Sequence, residues 1–267
     1  MIVRGVATEN YSEKHVPSVV MPDTLYYFTT NLRWLLDILQ YKMLSPRYCE
    51  EDISYLGIKN PSKIAIPMRC FCDIGMSKLS YHMEWYGDYG IAFEKAWCIA
   101  HGLQPLQYIN SKSALKSDMA KCFKTAMSQL GKKLSKEEAI YRNFILHELM
   151  YYKPYQGKME NRRTKKMATK CLADECEWRY IPNTSSIGMP QVFVNNFGKL
   201  KDYSDALIHR EETALKFEYS EIKHIIIKDL TEYEKVIQDM GKWSIDDIDR
   251  YTILSRIIVW DETRGDL

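Results

Sequence analysis

The residues best suited to chemistry in this sequence are Glu175 and Glu177, in the run Asp174-Glu175-Cys176-Glu177-Trp178-Arg179-Tyr180 at the entrance to a β-type segment. Two carboxylates one residue apart project to the same face of an extended chain. Like charges that close raise the pKa of one partner, which suits acid/base or electrostatic work. The same Glu-x-Glu spacing also decorates solvated strand edges, so the pattern alone leaves both readings open. Trp178 and Tyr180, on the alternate face, are expected to pack into a core. A second run, Trp85-Tyr86-Gly87-Asp88-Tyr89-Gly90-Ile91, sets three aromatics around two glycines. It reads as a cleft in which the backbone approaches a planar ligand, or as a β-turn with aromatic packing.

Other chemistry has less support. No phosphate-binding glycine loop, dinucleotide fingerprint, zinc-protease helix or nucleophile elbow occurs. Cys70 and Cys72 form a Cys-x-Cys pair with His82 as the nearest further donor, but a zinc site wants a second close pair. No metal is expected, and the seven scattered cysteines read as free thiols of a cytoplasmic protein.

These residues need elements to hold them. Leu25-Tyr26-Tyr27-Phe28 reads as a strand; Thr29, Thr30 and Asn31 offer helix N-caps; and Leu32, Leu35, Leu36, Ile38 and Leu39 recur at helical spacing. Pro46 and Glu50-Glu51-Asp52 mark a loop. Strands are expected at 64–72, interrupted by Pro67, at 89–93 and at 105–109, with a short helix from Glu94 to His101. Ser113–Leu130 and Ser135–Tyr152 read as two helices separated by Gly131, the second opened by a Ser-x-x-Glu capping box. Residues 153–170 are basic and polar, either a solvated loop or a contact for an anion or nucleic acid through Arg162, Arg163, Lys165 and Lys166. Strands return at 177–181, 191–194, 214–217, 222–227 and 256–260, with helices from Thr231 and Ser244. Residues 1–22 read as a lead-in without a secretory signal.

Composition bounds the rest. The 267 residues carry 37 Lys or Arg against 35 Asp or Glu, with 46% hydrophobic content, an ordinary globular profile. A net charge of +2 argues against coating nucleic acid by bulk electrostatics. No apolar run is long enough to span a bilayer. The 19 tyrosines beside 12 glycines suit a ligand-stacking cleft, a protein interface or an aromatic core. The expected class is α+β, a mixed β core in one domain over 1–267 with a helical αα-hairpin insertion at about 111–157.

Three ordered blocks carry a family resemblance. Tyr27-Phe28-Thr29 with Asn31-Leu32 and Ile38-Leu39, then Pro46-Arg47-Tyr48-Cys49 and Glu51, open it. Pro67, Cys70-Phe71-Cys72-Asp73-Ile74, His82, Tyr86-Gly87 and Tyr89-Gly90-Ile91 continue it. Lys153-Pro154-Tyr155, Gly157 and Asp174 through Pro182 close it. From about 25 to 228 the chain resembles the AbiGi family of abortive-infection phage-resistance proteins. That resemblance implies an antitoxin-type partner of a cognate toxin or another defence-system protein. The opening and the late glutamate are also similar to DarT-like ADP-ribosyltransferases. This second resemblance implies an ADP-ribosyltransferase-like fold that cleaves NAD and passes ADP-ribose to protein or nucleic acid. Under it Glu177 is catalytic with Glu175 as its pair. Tyr27, Thr29, Asn31, Tyr86, Gly87, Tyr89 and Arg179 contact NAD. Tyr27 stands where many such transferases carry a histidine or arginine, so an enzyme and a binding protein both remain open.

Overall fold

A computed structural model describes residues 15–58, 60–194 and 197–267. Most of the expected lead-in, residues 1–14, lies outside the described residues. The chain enters through β1 (Thr24–Thr29), and Asn31 then caps α1 (Leu32–Tyr41) by accepting from the Arg33 amide at 2.9 Å. Leu35, Leu36, Ile38 and Leu39 form the buried stripe of α1, and Lys42 ends it in the left-handed region. After β2 (Met43–Leu44) comes β3 (Arg47–Asp52), where the sequence suggests a loop. Its acidic residues alternate exposed and half-buried positions along an edge of the sheet, so charge here marks an edge strand rather than a turn.

The long strand β4 (Lys63–Cys72) holds Pro67 in mid-strand. Its first half pairs with β3 and its second half with other strands, so the proline sits near the change of partner, where a missing N–H costs least. Then come α2 (Leu79–Tyr86), β5 (Tyr89–Glu94) and α3 (Lys95–Ala100). The expected strand at 105–109 is divided into β6 (Gln104–Pro105) and β7 (Gln107–Ile109). Two helices follow, α4 (Ala114–Ser128) and α5 (Lys136–Glu148), the latter opened by the Ser135–Glu138 capping box. The chain returns as β8 (Tyr152–Pro154), parallel to β7, so the helical hairpin leaves and re-enters at one place.

The basic stretch is not a loop. It contains β9 (Gln156–Glu160) and β10 (Met167–Cys171), an antiparallel ribbon. Its charged, outward side chains disguise the two-residue period. β11 (Glu177–Tyr180) then enters the sheet. The expected strand at 191–194 reduces to one bridge between Ala65 and Phe193. Past α6 (Leu200–Asp205) lie β12 (Leu215–Lys216), β13 (Ile222–Ile227), α7 (Leu230–Met240), α8 (Asp247–Ser255), β14 (Ile257–Val259) and α9 (Trp260–Thr263).

The main sheet runs β14-β13-β5-β1-β4-β11-β6, with β3 also on β4; it is antiparallel except for β13 with β14. The architecture is therefore mixed α+β. Register assigns the faces, because directly opposed residues point the same way. Tyr27 opposes Ile91 and Thr29 opposes Tyr89, on the face where Leu25, Phe71, Phe93 and Ile225 pack under α1 and α7. Tyr26 and Glu177 both oppose Cys72, on the other face, where Phe28 and Ala92 pack with Leu79 and Met83 of α2. Trp178 and Tyr180 pack against the first core, as their alternation predicts. No described helix is long and apolar enough to cross a membrane.

Candidate functional site

Glu175 and Glu177 meet, but not by strand alternation. Glu175 closes a 3-10 turn over Leu172–Glu175, and Cys176 follows with φ +41 in the left-handed region. Only Glu177 is in the strand. This kink turns both carboxylates onto one ammonium, Lys153 Nζ of β8, at 2.7 Å from Glu175 and 2.8 Å from Glu177. The other oxygen of Glu175 accepts from Lys170 of β10 at 3.0 Å and from the Tyr86 hydroxyl of α2. The other oxygen of Glu177 accepts from Arg179 Nε at 2.7 Å. Arg179 in turn donates to Glu51 of β3 at 2.6 Å and to the Met150 carbonyl at 2.6 Å. The Glu177 amide donates to the Tyr108 hydroxyl at 2.9 Å. Three carboxylates thus face three cations brought from four strands and one 3-10 turn.

The cluster is closed. Side-chain exposure is 0% for Arg179, 2% for Glu175, 6% for Glu177 and 12% for Lys153. Aromatics roof it: His82 stacks on Tyr86 at 4.3 Å, Arg162 lies 5.0 Å from the Tyr86 ring and Lys170 4.7 Å from the Trp85 ring. Two shallow surface hollows lie elsewhere, one between α1 and α7 and one at 206–212.

Electrostatics follow from this enclosure. Burial opposes charge on Glu177, yet Arg179 and Lys153 outweigh it and hold the carboxyl well below its usual range. Burial likewise opposes charge on Glu175, and Lys153 and Lys170 bring it below the ordinary value. Burial would lower Lys153, but Glu177 and Glu175 raise it well above the usual lysine. Burial drives His82 down to about 3, so it is neutral. The expectation that crowding raises one glutamate is therefore corrected: interposed cations make both anionic and remove any carboxylic acid from the site.

A pH dependence follows. Carboxyls depressed in the folded state contribute stability that is complete above their unfolded value, near 4.5, and lost as pH falls through the folded values. The melting temperature should be level at neutral pH and decline below about 4.5. The decline should be shallower in Glu177→Gln, measured by circular dichroism; identical slopes would show that Glu177 adds nothing to acid sensitivity.

Of the residues assigned to NAD, the structure brings Glu175, Glu177, Tyr86 and Arg179 together. It does not bring in the others. Tyr27 and Tyr89 lie on the opposite sheet face, as does the buried Thr29. The Tyr27 hydroxyl accepts from Arg69 at 2.6 Å, and the Arg69 guanidinium also lies over its ring. Burial pushes the Tyr89 phenol up to about 12. The Asn31 side chain is engaged as a helix cap. Gly87 has φ +122, and a Cβ there would lie 2.5 Å from Thr30 Cα and closer still to the Thr29 carbonyl. Its backbone approaches its own chain, not a ligand. Arg179 is enclosed on all sides and can only position Glu177. Tyr27, Thr29, Asn31 and Tyr89 therefore lie apart from the cluster that holds Glu175, Glu177, Tyr86 and Arg179.

The basic arm is also less free than its sequence suggests. Arg163 pairs with Asp88 at 2.8 Å and Lys165 with Glu160 at 3.6 Å. Lys170, Tyr108 and the roles of Lys153 and Glu51 escape motif reasoning, because their partners are distant in sequence. Glu51 and Lys153 do stand in the family-like blocks, the one signal that could have marked them. Among the described residues, no group of three or more His, Cys, Asp or Glu is placed to hold a metal ion.

Residues 42–228 match a protein-family model described as "Putative abortive phage resistance protein AbiGi, antitoxin". The sequence is 31% identical to the abortive phage resistance protein AbiGi of Lactococcus lactis subsp. cremoris, an alignment covering 83% of this chain and 98% of that relative. No solved structure matches it. Glu51, Lys153, Glu175, Glu177 and Arg179 all fall within the family-matched stretch, whereas Tyr27, Thr29 and Asn31 precede it.

Proposed function

Because the chain belongs to the AbiGi family of abortive phage resistance proteins, we propose that it is the non-catalytic, antitoxin-type component of a phage-defence system, acting by binding a partner protein. One observation carries the choice against catalysis. Each oxygen of Glu175 and Glu177 is engaged by a cation or hydroxyl of the chain itself, so neither carboxylate faces a reacting group. Such a network suits a rigid scaffold: removing any one partner leaves an uncompensated buried charge. The family description as an antitoxin supplies the direction of the effect.

The test is co-expression with the product of the adjacent gene. The expected result is a complex that survives two purification steps and suppression of that product's toxicity. Toxicity undiminished by this chain, with no co-purification, would overturn the proposal.

A second reading keeps the ADP-ribosyltransferase-like fold and NAD as substrate. Its support is the ionised Glu177 at the start of β11, with Glu175 and its Tyr86 partner on the same Lys153. It requires Lys153 to withdraw from both glutamates before either could meet a ribose. Consumption of millimolar NAD by the wild type, lost in Glu177→Gln, would establish it in place of the first.

A further inference from the structure

The ion cluster, the basic ribbon and the helical hairpin are the three features that could meet another molecule, and the hairpin is the one whose apolar residues have no partner. Helix α5 buries none of its residues. Ile145, near its C-terminal end, packs against the cluster that holds Phe123 of α4. On its outer side Ile140 is 58%, Tyr141 71% and Phe144 57% exposed. Ile140 and Phe144 are one turn apart, with Tyr141 beside them, so they form one stripe. A solvated helix normally carries polar residues there.

The charge around the stripe selects what could cover it. Residues 111–148 hold eight Lys or Arg and four Asp or Glu, an excess of four, against an excess of two for the whole chain. Three of the four acids are occupied locally: Asp118 pairs with Lys121 at 3.1 Å, Glu138 closes the helix cap at Ser135, and Glu148 accepts from the Tyr152 hydroxyl at 3.3 Å. Lys132, Lys133 and Lys136 are exposed at the turn that leads into the stripe. A second copy of this hairpin would bring like charge to like charge. A helix with an apolar face and acidic flanks would satisfy both the stripe and the lysines.

We propose that the outer face of α5 is the docking surface for an acidic amphipathic helix of a partner protein. This deepens the antitoxin reading by naming where the partner sits and what chemistry it presents. The hairpin packs on the cluster of Phe123, Leu149 and Met150 through α4, away from the outer stripe. Substitutions on that stripe therefore leave the core intact.

The test uses the full chain and a defined probe, a fluorescein-labelled peptide with leucines at i, i+3, i+4 and i+7 and glutamates elsewhere, read by anisotropy. Saturable binding is expected, at least tenfold weaker in Phe144→Ser and Ile140→Ser, whose melting temperatures should match the wild type. Binding should weaken as salt rises, and a peptide with lysine in place of glutamate should not bind. Equal affinity in the variants, no binding of the acidic peptide, preference for phosphatidylglycerol vesicles, or a concentration-dependent dimer abolished by Phe144→Ser would each overturn the proposal. Because the probe is synthetic, failure of this surface is distinguishable from failure of the antitoxin reading, which rests on toxicity suppression.

Discussion

Arg179→Met is expected to destabilise the protein by about 3–5 kcal/mol, lowering the melting temperature by roughly 10 °C. Arg179 is fully buried and joins Glu177 to Glu51 and to the Met150 carbonyl. Methionine fills much of the volume but leaves the Glu177 carboxylate with Lys153 alone, in a region closed to water. Glu51, at 19% exposure, can be rehydrated, so the cost concentrates on Glu177. The double variant Arg179→Met with Glu177→Leu should recover a large part of the loss, since a buried ion pair exchanged for apolar residues is often close to neutral. Calorimetry of the wild type, both single variants and the double variant closes the cycle. A cost below about 1 kcal/mol for Arg179→Met would mean that the network adds little to the fold.

The second large effect is at Gly87. Its φ of +122 and ψ of 172 occupy a region open essentially to glycine alone. Strain there is worth about 1–3 kcal/mol. The added methyl would also press on the Thr29–Thr30 backbone, and overpacking of that kind costs about 1–3 kcal/mol more. Gly87→Ala should therefore melt at least 5 °C below the wild type or fail to fold, roughly 3 kcal/mol in all. Gly75→Ala, where a Cβ meets nothing within 4 Å, is the matched control and should be close to neutral. Equal melting of the two variants would show that the close approach of α2 to the β1–α1 junction is not needed. A ligand-contact role would instead leave stability unchanged and alter only binding.

The contrast between Gly87 and Glu177 shows what sequence could and could not convey. Local signals were readable: the Asn31 cap, the α1 stripe, the Ser135 capping box and the strand beginning at Glu177 all depend on neighbours a few residues away. Most partners of Glu177 are not readable, since Cys72 meets it across the β4–β11 pairing and Lys153 and Tyr108 come from a separate two-stranded ribbon. Glu175 and Glu177 converge, but through a left-handed Cys176 whose conformation no residue type announces. Charged edge strands misled in the same way. Residues 47–52, 156–160 and 167–171 look like loops by composition, yet all three are strands whose outward side chains meet water. Helix α2 has no legible periodicity because only Leu79 and Met83 mark its buried side. Tyr27 and Tyr89 shared a supposed cleft with Tyr86 until register separated them, since a strand residue's face depends on pairing and not on identity.

The proposed binding role and the alternative NAD turnover part company at Glu177, which either holds the fold or meets a substrate. Growth of cells expressing the adjacent gene together with Glu177→Gln tests this most directly, with the variant's solubility and melting temperature measured alongside. Lys153 keeps Glu175 and Arg179 keeps Glu51 in this variant, so any loss falls on melting temperature; protection by the folded variant should equal the wild type, because the partner meets a different surface. Loss of protection in a well-folded Glu177→Gln, accompanied by NAD depletion with the wild type alone, would contradict the binding role.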